Sequence, residues 1–149
     1  MSGTDAAAGA ALEGATLYVF VRGWGHGKKE ASILNRKVGA LLPPALRETV
    51  AGLPNADLFI PELAMGLLST ARPEAVVNDL LRQVSGAFDP ERHAKIVFVC
   101  FSSGGPIGRA ALMKAYGMGE DGRRDPEVAL PWVERVVRVV YLGAILRGW

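Results

Sequence analysis

The run Val97-Phe98-Val99-Cys100-Phe101-Ser102-Ser103-Gly104-Gly105 holds the residues of this chain best placed to do chemistry. Ile96 to Phe101 is a continuous apolar segment, as expected of a strand buried on both faces, and it ends in a serine followed at once by glycines and a helical pattern. A helix starting directly after a strand leaves that serine on a sharp turn. Its hydroxyl then projects above the sheet, and the free N–H groups of the new helix point at whatever binds there. The chemistry that suits this placement is nucleophilic attack. A serine hydroxyl attacks well only when a base removes its proton, and the oxyanion that forms needs preorganised donors at about 2.7 to 3.1 Å. Serine before a helix is also a preferred N-cap, so Ser102 taken alone leaves both roles open.

The other chemically capable residues are few. His26 lies in the glycine-rich stretch Gly23-Trp24-Gly25-His26-Gly27, and Glu62 follows a short apolar run; both are expected on the rim that carries Ser102. His93 precedes the strand and is expected about 20 Å from the serine, at the wrong end to act as its base. The glycine-rich stretch does not match a phosphate loop. Counting back from Gly27-Lys28 puts Arg22 where the first glycine of a P-loop belongs and Lys29 where its hydroxyl belongs. The dinucleotide pattern fails too, because Lys28 stands in place of its third glycine. No Cys/His cluster has metal-ligand spacing, so neither a metal nor another cofactor is expected.

The elements that must position these residues follow from the apolar pattern. Strands are expected over Thr16 to Val21, Asp57 to Ile60, Lys95 to Phe101 and Val136 to Leu142. Between them, Ala31 to Leu42 and Pro73 to Ser85 carry apolar residues at helical spacing, the second with Pro73 suited to its first turn and Gly86 to its stop. Arg109 to Tyr116 continues the helix after the serine, and 117–131 reads as a surface excursion. Alternating strands and helices predict an α/β fold, a parallel sheet of about four strands with helices on both faces. Ligands bind such sheets at the carboxyl ends of the strands, where Gly23, Pro61-Glu62, Ser102 and Gly143 all fall.

Three segments in this order resemble the α/β-hydrolase superfamily, and within it the lipase and esterase branch. Val19 to Gly25 is similar to the strand leading into an oxyanion loop. Cys100-Phe101-Ser102-Ser103-Gly104-Gly105-Pro106-Ile107-Gly108-Arg109 is similar to a Gly-His-Ser-x-Gly-Gly elbow, and Val140 to Trp149 looks like the exit of the next strand in lipases. The resemblance spans roughly residues 16 to 149 and covers the N-terminal half of that fold. It implies ester hydrolysis through a serine ester, with Ser102 as nucleophile, the backbone N–H groups of Trp24 and Ser103 as oxyanion donors, and Gly104 and Gly105 as the elbow glycines. Acyl transfer to another acceptor uses the same elbow. Cys100 departs from the pattern, standing where the elbow's leading glycine belongs; Arg22 and Phe101 replace histidines that are not the catalytic base. In that family the acid and then the histidine follow the serine in the chain, and neither is found here. The chain is therefore expected to be truncated after the strand that follows the nucleophile helix.

Composition sets the outer bounds. With 149 residues, half of them apolar, the chain suffices for one globular domain over 15–149, preceded by an Ala/Gly-rich tail over 1–14. Seventeen basic and fifteen acidic residues are interspersed and leave a net charge of +2, so there is no concentrated basic footprint for nucleic acid. No apolar stretch approaches the ~18 to 20 residues of a transmembrane helix, the N-terminus lacks the basic residues of a secretory signal, and a cytoplasmic location is the expectation. The single cysteine, Cys100, falls in the buried strand. Two functional classes follow: a carboxylic ester hydrolase acting on a small-molecule or lipid ester, or a truncated or degenerate hydrolase-fold domain that binds without catalysis. An exposed sheet edge at the last strand is the surface expected for association with another chain.

Overall fold

The computed structural model describes residues 14–23, 44–64 and 70–144. The helix expected over Ala31 to Leu42, the N-terminal tail up to residue 13, and Trp24 and His26 lie outside the described residues. Four strands form one sheet: β1 (Ala15–Val21), β2 (Ala56–Phe59), β3 (His93–Phe101) and β4 (Val136–Leu142). All neighbours are parallel, in the order β2-β1-β3-β4. Parallel neighbours need crossovers, and these contain a helix over 44–51 (α1), α2 (Pro73–Ala87) and α3 (Gly104–Ala115).

Alternation along the strands sorts the side chains onto two faces. Leu17, Val19 and Val21 of β1 and Ile96, Phe98 and Cys100 of β3 pack against Val77, Leu80, Leu81 and Val84 of α2 and Ala111, Leu112 and Ala115 of α3. The opposite face carries Phe20, Val97 and Val99, with Leu46 of α1 packed against them. The structure is thus an α/β fold with helices on both faces of a four-stranded parallel sheet. β3 lies inside the sheet, between β1 and β4, and Ile96 to Cys100 are all buried, as their unbroken apolar run requires.

The face assignment fixes where the chain reverses direction. From β1 the chain moves to one edge through α1 on one face; from β3 it moves to the other edge through α3 on the opposite face. The loops leaving the carboxyl ends of β1 and β3 therefore diverge from adjacent strands and leave a crevice between them, the topological switch point of an open α/β sheet.

One helix boundary differs from expectation. Gly86 does not stop α2 but lies within its last turn, exposed and without a positive φ, so it costs only helix propensity there, about 1 kcal/mol relative to Ala. The helix ends when Phe88 turns extended (φ −77°, ψ 124°), and the Phe88 side chain packs onto the core. The excursion after α3 is made of turns, a short bridge between Met118 and Arg124, and two 3-10 turns, Pro126–Val128 and Val133–Arg135. Gly117 and Gly122 supply its positive φ angles, 76° and 74°. Trp132 anchors the end of the excursion: it is buried against Phe98 at a ring separation of 6.0 Å, and its indole N–H donates to the Ser85 hydroxyl at 2.9 Å.

Candidate active site at the β1–β3 switch point

Ser102 follows β3 directly and has a φ of 53°. Among the described residues, Asn55 is the other non-glycine with positive φ, at 51°. Asparagine tolerates this left-handed conformation in turns, whereas serine incurs about 1 to 2 kcal/mol of strain. Two backbone bonds hold Ser102 in place. Its N–H donates to the Leu142 carbonyl at the end of β4 (3.1 Å), and its carbonyl accepts from the Gly105 N–H as α3 begins (3.0 Å). The N-cap of α3 is Ser103 (φ −64°, ψ −11°), which makes no side-chain capping bond. Ser102 is thus not the N-cap of this helix.

Glycines allow the three strand ends to close on this turn. A Cβ on Gly23, just past β1, would lie 2.8 Å from the Ser102 Cβ, 2.9 Å from the Phe101 carbonyl and 3.0 Å from the Ser103 hydroxyl. The loop leaving β1 therefore runs against the serine turn with its bare backbone. At Gly104 a Cβ would overlap the carbonyl oxygens of Val21 and Arg22, backbone atoms that cannot swing aside. At Gly105 it would come within 2.5 Å of the Ala144 Cβ, beyond β4. The structure therefore brings Gly23, Ser102, Ser103, Gly104 and Gly105 together at the switch point. Trp24, the other expected oxyanion donor, lies outside the described residues.

Beneath the turn, Cys100 is fully buried, and its burial pushes the thiol pKa up to about 12. A thiol held that far from ionisation is a packing group and not a competing nucleophile. Tyr141, its neighbour on β4, is also pushed up, by burial first and by the proximity of Cys100 second, with Arg109 opposing.

The remaining sequence candidates fall elsewhere. His93 opens β3, nine residues before Ser102, which at ~3.3 Å per strand residue separates them by close to 30 Å. Its buried ring is fully engaged there: Nδ1 accepts from the Asp89 N–H at 2.9 Å, so Nε2 carries the proton of the neutral ring and donates to Asp57 at 3.0 Å. Arg92 completes the cluster with a two-point bond to Asp57. The Arg92 bond, opposed next by burial and aided then by the His93 bond, holds the Asp57 carboxyl at about 2, below its ordinary 3.8. Glu62 is exposed, and its backbone is clamped to α2 by the Gln83 amide, whose Oε1 accepts from the Glu62 N–H (2.9 Å) and whose Nε2 donates to the Glu62 carbonyl (2.8 Å). Among the described residues no histidine or carboxylate bonds the Ser102 hydroxyl, and no group of three or more His, Cys, Asp or Glu side chains could hold a metal ion. No helix among them is long and apolar enough to cross a membrane.

Sequence reasoning missed one residue of the site. A Cβ on Gly108 would lie 2.5 Å from the Cys100 sulfur. The signal was present in the sequence as the four-residue spacing of Gly104 and Gly108, which puts both on one face of α3.

No protein-family model matches the chain, and no curated protein matches it. Among solved structures the chain is similar to an acetyl xylan esterase, solved as an iodinated complex, with 20% sequence identity and a TM-score of 0.47. The likeness covers 86% of this chain, which spans 62% of the length of that one. The fold and the site therefore rest on the geometry above.

Proposed function

We propose that Ser102 is the nucleophile of a serine hydrolase acting on carboxylic esters, on an α/β-hydrolase fold of the lipase and esterase kind. The observation that carries this reading is the left-handed φ of Ser102 on a strand-to-helix turn at the switch point, packed against the bare backbone of Gly23, with Gly104 bare against the end of β1. Strain of this kind persists only where the surroundings over-determine it, and it concentrates at active sites. In the reaction, Ser102 Oγ adds to the ester carbonyl carbon while a base takes its proton, and the backbone N–H groups of Ser103 and Trp24 receive the oxyanion. Collapse expels the alcohol, which takes up that proton, and water then releases the acid and regenerates the serine. The base and its acid partner come from outside the described residues. A substrate of small-molecule or lipid ester type is what the lipase and esterase resemblance implies.

The second reading, a hydrolase-fold domain that binds without catalysis, is favoured by a different observation: the one histidine among the described residues is engaged at the far end of the sheet. A fluorophosphonate probe separates the two. Covalent labelling of the native protein that maps to Ser102 and vanishes in Ser102→Ala supports the hydrolase. A folded protein that binds esters and leaves the probe unreacted is a binding domain.

A further inference from the structure

Cys100 stands where a glycine would let the nucleophile helix approach the sheet, and yet α3 lies close. The reason is on the helix. Gly108 faces the Cys100 side chain, and a methyl group there would sit 2.5 Å from the sulfur but 3.7 Å from the Cys100 Cβ, an ordinary contact. The bulk that the strand gained is matched by bulk that the helix lacks. Gly104, Gly108, Ala111 and Ala115 are all buried, at the spacing of one helical face, so small residues recur where α3 packs, with Leu112 buried beside them. The same helix starts at the N-cap Ser103, and its first turn is bonded to the Ser102 carbonyl. A displacement of α3 at Gly108 is therefore transmitted to the Ser102–Ser103 turn within the next turn of helix.

We propose that Cys100 and Gly108 form a size-matched pair that sets the height of α3 over the sheet, making Gly108 a positioning residue for the nucleophile turn. This rests on the reading of Ser102 as a nucleophile. Only the sulfur collides with an added methyl, so the compensating change is specific: Cys100→Ala accommodates Gly108→Ala, because the two Cβ atoms are already at contact distance. Exchanging bulk between strand and helix then restores the turn, whereas enlarging the helix alone lifts it.

The test is a double-mutant cycle over wild type, Cys100→Ala, Gly108→Ala and the double variant, with two readouts on each. The first is the rate of fluorophosphonate labelling at Ser102, normalised to the folded fraction by circular dichroism; the second is the thermal midpoint. Gly108→Ala should label at least tenfold more slowly while folded and melt at a lower temperature. The double variant should recover to within threefold of the wild-type rate and regain most of the midpoint. Wild-type labelling in a folded Gly108→Ala protein overturns the positioning role, and a double variant as impaired as Gly108→Ala overturns the size match. Should Gly108→Ala fail to fold, the double variant decides: one that folds and labels within threefold of Cys100→Ala supports the size match, and one that also fails to fold overturns it. If wild type itself does not label, the hydrolase reading fails and the positioning role falls with it. The midpoints then decide the size match alone: it fails if the two changes simply add.

Discussion

The two ends of this sheet are built on opposite plans. At the amino ends of the strands, Asp57, Arg92, His93 and the Asp89 amide satisfy one another: both carboxylate oxygens and both ring nitrogens have partners, and the ring is buried. At the carboxyl ends, the chain holds a serine in a left-handed conformation and pares away side chains at Gly23, Gly104 and Gly105 so that three strand ends can meet. The first end is saturated, and its left-handed non-glycine, Asn55, is of a type that tolerates that conformation. Strain and bare backbone at the other end make sense where something must approach the backbone. A histidine and an aspartate in hydrogen-bond contact look like part of a catalytic relay, and in this molecule they are a brace at the end away from the serine.

Substitutions at each end should break this contrast in distinguishable ways. The largest effect is expected for Ser102→Ala, which should lower any esterase turnover at least about 10³-fold with the fold intact by circular dichroism. Gly104→Ala comes next. Its methyl meets the fixed carbonyl oxygens of Val21 and Arg22 at the end of β1, so a loss of about 3 kcal/mol in urea unfolding is expected, with loss of labelling at Ser102. His93→Ala should cost about 2 kcal/mol by leaving the Asp89 N–H and part of Asp57 unpaired, yet leave the labelling rate of the folded fraction unchanged. A fall in that rate would show that the two ends are coupled.

The smallest effects concern charge and strain. The Asp57 carboxyl titrates lower in the folded chain (about 2) than unfolded (near 3.8). Its contribution is therefore complete above about pH 4 and is lost as the pH falls toward 2. Because the side chain is partly exposed, that contribution is on the order of 1 kcal/mol, read as the difference between acid unfolding of wild type and of Asp57→Asn. Ser102→Gly should abolish labelling and also stabilise the fold, by about 0.5 to 1 kcal/mol, as the left-handed strain is released. A destabilised Ser102→Gly would mean that the turn is not strained and would remove the main support for a functional serine.

Much of the fold was legible from local pattern. β4 has the bounds its apolar run implies, β1 and β2 are offset by a single residue, and Pro73 does open α2. Each of these depends on the period of neighbouring side chains and on backbone chemistry within a few residues. Gly86 misled because a glycine near a helix end looks like a stop, while the actual end was set by Phe88 turning into the core. At the site, Ser102 was legible because strand, serine and glycine are contiguous in the chain.

By itself, then, the sequence determined the alternation of strands and helices and the serine at the third strand's exit, since hydrophobic period and turn chemistry are local properties. Tertiary structure alone decided the strand order that sets Gly23 against Ser102, the matching of Cys100 by Gly108 on the next helix, and the engagement of His93 with Asp57. Gly23 and Ser102, like Asp57 and His93, lie far apart in the chain, and Cys100 meets Gly108 only because α3 folds back onto the sheet, so packing brings each pair together.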